Sequence, residues 1–146
     1  MKVIVDTNVL VSAAVAGKNP GTVVVFIADS PQVEWIVSTE ILTEYREVLN
    51  RPKLKLTEAK KERWFTLIHE ATTLIDVNIE VDFPRDSKDA KFLACALASE
   101  ADFLITGDRD FTEVGDLGKT RVISVLLFKE LAIDRNLRNP VLRKNR

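Results

Sequence analysis

Short runs of apolar, β-branched residues alternate along this chain with longer stretches whose apolar positions recur at helical spacing. Lys2 to Asp6 reads as a buried strand, because consecutive apolar residues leave it no polar face. Asn8 to Ala16 follows as a helix. Gly17 to Pro20 breaks it, and Pro20 suits the first turn of a second helix reaching Asp29. Val33 to Val37 is a second strand. Ser38 or Thr39 caps a helix that runs to Leu49 and is stopped by Pro52. Thr57 caps a fourth helix, in which Trp64, Leu67, Ile68 and Ala71 share one face. Thr73 to Val77 reads as the third strand. Asp86 or Ser87 caps a helix from Lys88 to Ser99 with the apolar stripe Ala90, Leu93, Ala94 and Leu97. Phe103 to Thr106, closed by Gly107, is the fourth strand and Val122 to Ser124 the fifth. Ser124 then caps a last helix carrying Leu127, Phe128 and Leu131.

Strands alternating with helices imply right-handed crossovers, an α/β fold and a mostly parallel sheet covered by helices on both faces. In such sheets, ligands bind beyond the carboxyl ends of the strands. Acids stand at that edge. Asp6 follows Val3-Ile4-Val5, and Asp108 follows Leu104-Ile105-Thr106-Gly107. Each has a structural alternative as a helix cap. Glu44 lies on the helix after the second strand, one turn beyond Glu40. Asp89 falls in the first turn of the helix before the fourth strand, where the helix dipole favours a carboxylate whatever its function.

Gathered carboxylates repel. Two unit charges about 4 Å apart cost about 1 kcal/mol in water and about 4 kcal/mol at an effective dielectric near 20. Four acids together therefore call for protons or a divalent cation. Composition narrows the choice. One cysteine, Cys95, and one histidine, His69, exclude an intramolecular disulfide, a cysteine-rich zinc site and a poly-histidine site. Oxygen donors without imidazole or thiolate select Mg²⁺ or Mn²⁺, which points to phosphoryl chemistry. Cys95, between two alanines, reads as a small buried hydrophobe. His69 reads as packing or surface, and Trp35 and Trp64 as core or dimer contacts.

The 146 residues suit one domain, with 46% apolar residues to fill its core and 29% charged residues. No apolar run approaches the roughly 20 residues that span a bilayer. Asp6 and Asn8 interrupt the apolar N-terminus, so no membrane association and a cytoplasmic protein are expected. The net charge of −1 is unevenly spread. Arg51 to Trp64 carries six basic and two acidic residues, and Asp134 to Arg146 five and one. These zones suit either phosphate contacts or a solvated helix face and a loose tail.

The motifs themselves are familiar. Asp6 to Ala13 (DTNVLVSA), Ser38 to Leu49 (STEILTEYREVL) and Asp86 to Phe111 (DSKDAKFLACALASEADFLITGDRDF) resemble the four acidic motifs of PIN-domain nucleases, with Asp6, Glu44, Asp89 and Asp108 at the acidic positions. The similarity is closest to the PIN-family toxins of toxin–antitoxin pairs. It implies a three-layer α/β/α sandwich over residues 1–133 with a five-stranded parallel sheet in the order 3-2-1-4-5, followed by a basic tail over 134–146. It also implies Mg²⁺- or Mn²⁺-dependent cleavage of RNA, a homodimer or higher homo-oligomer, and a separately encoded antitoxin that blocks the site. Two departures stand out: Ser87 replaces the usual proline before the third acid, and Ser99-Glu100 replaces glycines before the fourth strand.

On this reading Asp6, Asp89 and Asp108 hold the cations, and Glu44 ligates through water or orients the attacking water. Asn8, Thr106 and Asp110 support them. Arg51, Lys53, Lys55, Lys60, Lys61 and Arg63 contact the RNA backbone, with little sequence preference and strong salt dependence. Three rivals remain. A haloacid-dehalogenase-like phosphatase would need a second acid where Asn8 stands. A receiver-type phosphoacceptor would need an acid after the third strand. The last is a catalytically weak or inactive RNA-binding module.

Overall fold

The computed structural model describes residues 1–78, 89–107 and 115–135. The expected caps Asp86 and Ser87, the acids Asp108 and Asp110, and the tail beyond Arg135 lie outside these residues. Five strands, β1 (Lys2–Val5), β2 (Glu34–Val37), β3 (Thr72–Leu74), β4 (Phe103–Ile105) and β5 (Arg121–Ile123), form one sheet in the order 3-2-1-4-5. Every strand pair is parallel. Val3, Ile4 and Val5 of the central strand are wholly buried, as are Trp35 and Val37 of β2 and Leu104 and Ile105 of β4. Such strands need helices on both faces, and the crossovers supply them.

Between β1 and β2 lie α1 (Thr7–Val15) and α2 (Lys18–Asp29). Gly17 makes the corner between them with φ 72°, a conformation that glycine adopts freely. Between β2 and β3 lie α3 (Thr39–Leu49), a 3-10 turn Pro52–Leu54 and α4 (Glu58–Ala71). Helix α5 (Ala90–Ser99) returns the chain to β4 and packs against β1, β2 and β4. The crossover from β1 to β2 and the return to β4 run in opposite directions across the sheet. The right-handed rule therefore puts α5 on the face opposite α1 and α2. After β5, α6 (Val125–Phe128) continues into a wider π-helical stretch, Lys129–Asp134. The Phe128 ring meets Phe26 of α2 and Phe103 of β4 edge-on, at centroid distances of 6.4 and 5.8 Å, and closes the core at that end.

Several boundaries differ from the sequence reading, for local reasons. Strand β3 covers Thr72–Leu74 rather than Thr73–Val77. It pairs only with β2, whose three partner residues end at Val37. Strand β5 and helix α1 each start one residue earlier than expected. Asp89 stands at the N-cap position of α5, not inside its first turn. The α5 stripe is broader than expected: Phe92, Cys95 and Ala96 are buried with Leu93 and Ala94, whereas Leu97 is exposed, because the helix lies across three strands. In the last helix, Phe128, Ala132 and Ile133 face inward while Leu127 is exposed. Glu100, in place of a glycine, takes the left-handed conformation (φ 53°) that ends α5, and an exposed ion pair with Lys119 at 3.3 Å accompanies it. Among the described residues, no single helix is long and apolar enough to cross a membrane.

Candidate active site

The sheet register sets the site. Val5 is paired with Ile105, and one step further along stand Asp6 and Thr106, both buried. The Asp6 backbone N–H donates to the Ile105 carbonyl at 2.9 Å, which extends the ladder past the strand end. The Thr106 hydroxyl then donates to Asp6 Oδ2 at 2.8 Å. A carboxylate that is only 4% exposed is thus anchored across the β1–β4 pair at the carboxyl edge.

Asp6 occupies the N-cap position of α1, yet its side chain makes no cap hydrogen bond. The same holds for Asp89 at the start of α5. Other helix starts in the molecule behave differently. The hydroxyls of Ser38, Thr57 and Ser124 accept from the backbone N–H groups of Ile41, Lys60 and Leu127, as N-caps normally do. The two aspartates hold cap positions without a cap hydrogen bond, so capping does not account for their carboxylates.

Glu44 reaches the same edge from the middle of α3. Its Oε2 accepts a hydrogen bond from the Thr7 hydroxyl, next in sequence to Asp6. Its Oε1 meets Lys91 Nζ at 2.8 Å, two residues beyond Asp89. Glu44 therefore bridges the neighbours of the two aspartates, with both oxygens engaged. Next to it, the buried Tyr45 hydroxyl donates to the Val5 carbonyl, immediately before Asp6, and accepts from Trp35 Nε1 at 3.4 Å. This pins α3 to the end of β1. Burial pushes the Tyr45 phenol far above its ordinary range. The Trp35 hydrogen bond works against that rise, and the negative charges of Asp6 and Glu44 add to it.

Asn8 is exposed on the first turn of α1. Asp108 and Asp110 fall outside the described residues. Among the described residues, no three side chains of the His, Cys, Asp and Glu types gather to hold a metal ion; the third expected ligand, Asp108, is not among them. The basic zone is divided rather than continuous. Lys60 and Arg63 line a groove of about 390 Å³ with Trp64 and the far end of α1, Ala13 to Gly17. Lys61 lines another, of about 540 Å³, with Arg46, Phe65 and His69, and pairs with Glu58 at 3.4 Å. Arg51, Lys53 and Lys55 are exposed on and beside the 3-10 turn. Residues three apart share a helix face and adjacent ones do not, which is why a run of cations became two surfaces.

Thr7, Tyr45 and Lys91 were not among the residues singled out from the sequence. Thr7 lies inside the first motif and Tyr45 beside Glu44. Lys91 had no local signal, since its partner is 47 positions away.

Residues 2–110 match the family model described as PIN domain. An uncharacterized protein of Methanocaldococcus jannaschii is 31% identical over 123 residues, covering 82% of this chain and 78% of that protein. Among solved structures, the crystal structure of VapBC2 from Rickettsia felis bound to a DNA fragment from its promoter shares the fold, with a TM-score of 0.59 at 13% identity over 85% of this chain and 98% of that one. The family model spans most of the sequence, and the sheet order is the one the motifs implied: this chain belongs to the PIN-domain family.

Proposed function

We propose that this PIN domain is a divalent-metal-dependent endoribonuclease and the toxin of a toxin–antitoxin pair. One observation carries the reading. Asp6 is a buried carboxylate at the carboxyl edge of the sheet that does not cap its helix and is held by Thr106 instead. A buried carboxylate at the edge where such sheets bind their ligands supports a cation site, because burial raises the value of a bound dication to the charge. The donor set fits Mg²⁺ or Mn²⁺: Asp6 and Asp89 offer hard oxygens, and Asp108, two residues past Thr106, is proposed as the third ligand. When bound, the cation would neutralise charge on the phosphodiester and acidify water for attack.

The chain's own residues do the rest. Thr106 fixes the orientation of the Asp6 carboxylate. Glu44 has both oxygens occupied by Thr7 and Lys91, so it suits the role of orienting the attacking water better than direct ligation. Asn8, exposed beside Asp6, and Asp110 are proposed to support the substrate. The split basic surfaces are proposed to contact the RNA backbone, Lys60 and Arg63 from one groove and Lys61 from the other, together with the exposed Arg51, Lys53 and Lys55. The toxin assignment draws on the motif resemblance, with the VapBC2 fold neighbour as support; we extend it to a separately encoded antitoxin, a homo-oligomer and action in the cytoplasm.

A time course of defined RNA oligonucleotides with Mn²⁺ tests the reading. The wild type should cleave them, and Asp6→Asn and Asp108→Asn should not. Equal, slow disappearance of RNA in all three samples would leave only a binding module.

A further inference from the structure

We propose that Lys91 is a positioning residue of the acidic site: it locks Glu44 in place and lowers the site's affinity for divalent cations. The inference rests on the metal-dependent reading above. Lys91 lies in the first turn of α5, directly after Asp89 and Ala90. That is a poor place for a cation, because the helix dipole presents its positive end there. Its side chain is only 20% exposed, so it also surrenders most of its hydration and rotamer freedom. Helix formation explains neither feature. The partner does: Lys91 Nζ meets Glu44 Oε1 at 2.8 Å, and Glu44 is itself 22% exposed.

The pair ties α5 to α3 across the mouth of the sheet. Thr7 holds the other Glu44 oxygen, so the carboxylate has one orientation set from two elements. A rigid carboxylate can direct a water; one swinging on its own stem cannot. The ammonium also sits on Glu44 Oε1, on a helix that starts with the proposed ligand Asp89, and at short range, in a partly dehydrated setting, a positive charge weakens the pull of such acids on a dication. Lys91 therefore exchanges metal affinity for orientation of Glu44.

The test uses the full chain, stripped of metal with chelator, as wild type, Lys91→Met, Lys91→Arg and the double variant Lys91→Met/Glu44→Gln. Calorimetric titration with Mn²⁺ should show Lys91→Met binding about tenfold tighter than wild type, and Lys91→Arg binding within about twofold of it. At saturating Mn²⁺, Lys91→Met should lose about tenfold or more in kcat with little change in the KM for RNA. In chelator, Lys91→Met should melt below wild type because Glu44 is stranded, and the added Glu44→Gln should recover the loss. Unchanged Mn²⁺ affinity in Lys91→Met would overturn the proposal, as would a rise in KM at constant kcat, which marks a phosphate contact. Wild type that binds no Mn²⁺ would instead overturn the metal reading; the melting series in chelator, which needs no metal, would still decide whether Lys91 holds Glu44.

Discussion

The β1–β4 strand pair carries an aspartate at each end, and the two are treated in opposite ways. At the amino edge, Asp102 is exposed and its Oδ2 accepts from the Lys2 backbone N–H at 2.7 Å. At the carboxyl edge, Asp6 is buried and its Oδ2 accepts from the Thr106 hydroxyl at 2.8 Å. Both bonds cross the same pair of strands at nearly the same length. The difference is solvent. Of the five buried polar residues among those described, Asp6, Thr7, Ser38 and Thr106 follow the carboxyl ends of β1, β2 and β4, while only Thr120 lies at the amino edge, before β5. A sheet built for stability alone would keep its polar groups wet at both edges, since burial without full compensation is unfavourable. The asymmetry supports the proposal that the carboxyl edge is the working one.

The most severe way to break the comparison is Asp6→Asn. The amide oxygen can still accept from Thr106, so the fold should survive. Cleavage of RNA in Mn²⁺ should fall about a hundredfold or more, the scale of losing a metal ligand. In chelator, the melting temperature should hold or rise, because a buried charge near Glu44 has gone. A clear drop in melting temperature would make Asp6 a structural residue and remove the contrast with Asp102.

Tyr45→Phe probes what holds the carboxyl edge together. The variant keeps the ring among its neighbours but removes the hydroxyl that bridges the Trp35 indole N–H and the Val5 carbonyl. Leaving such buried groups without that partner should destabilise by about 1–3 kcal/mol in urea unfolding, with a fall in cleavage because Val5 precedes Asp6. A loss below about 0.5 kcal/mol would show that α3 docks on β1 by packing alone.

Between the two edges lies Cys95, an ionisable group buried on α5. Burial pushes its thiol up from 9.0 to about 12, so the folded state favours the neutral form. The contribution to stability is then fully present below pH 9 and is lost as pH rises toward about 12, while the unfolded thiol ionises first. Each unit in that window corresponds to about 1.4 kcal/mol. Stability measured from pH 8 to 10 should fall more steeply for wild type than for Cys95→Ala, and parallel curves would place the thiol in contact with water.

The sequence exposed the sheet well and the site only in part. Strands β1, β2 and β4 were legible because burial on both faces writes itself as an unbroken apolar run, as in Val3-Ile4-Val5. β3 is an edge strand with two exposed residues, Thr73 and Leu74, and its limits were misjudged by residues that merely resemble a strand. The acids were legible as strand-end and motif positions. What fixes them was not. Thr7 to Glu44 spans 37 positions, Tyr45 to Val5 spans 40 and Lys91 to Glu44 spans 47, and no local periodicity encodes a contact between elements so far apart. Lys91 in particular reads along the chain as one more surface cation at the head of an apolar helix.

The gentlest perturbation is also the control that gives the others meaning. Asp102→Asn removes a charge from the opposite end of the same strand pair, where the amide oxygen can still accept from the Lys2 N–H. Water already solvates this carboxylate, so stability should change by no more than about 0.5 kcal/mol, within the ordinary range of surface substitutions. RNA cleavage should match wild type. If cleavage instead falls as far as in Asp6→Asn, the strand pair itself is what activity depends on, and the burial of Asp6 has no separate catalytic meaning. If it is unchanged, then one chemical group, attached to the same two strands by a bond of nearly the same length, matters only where the protein has taken it out of water.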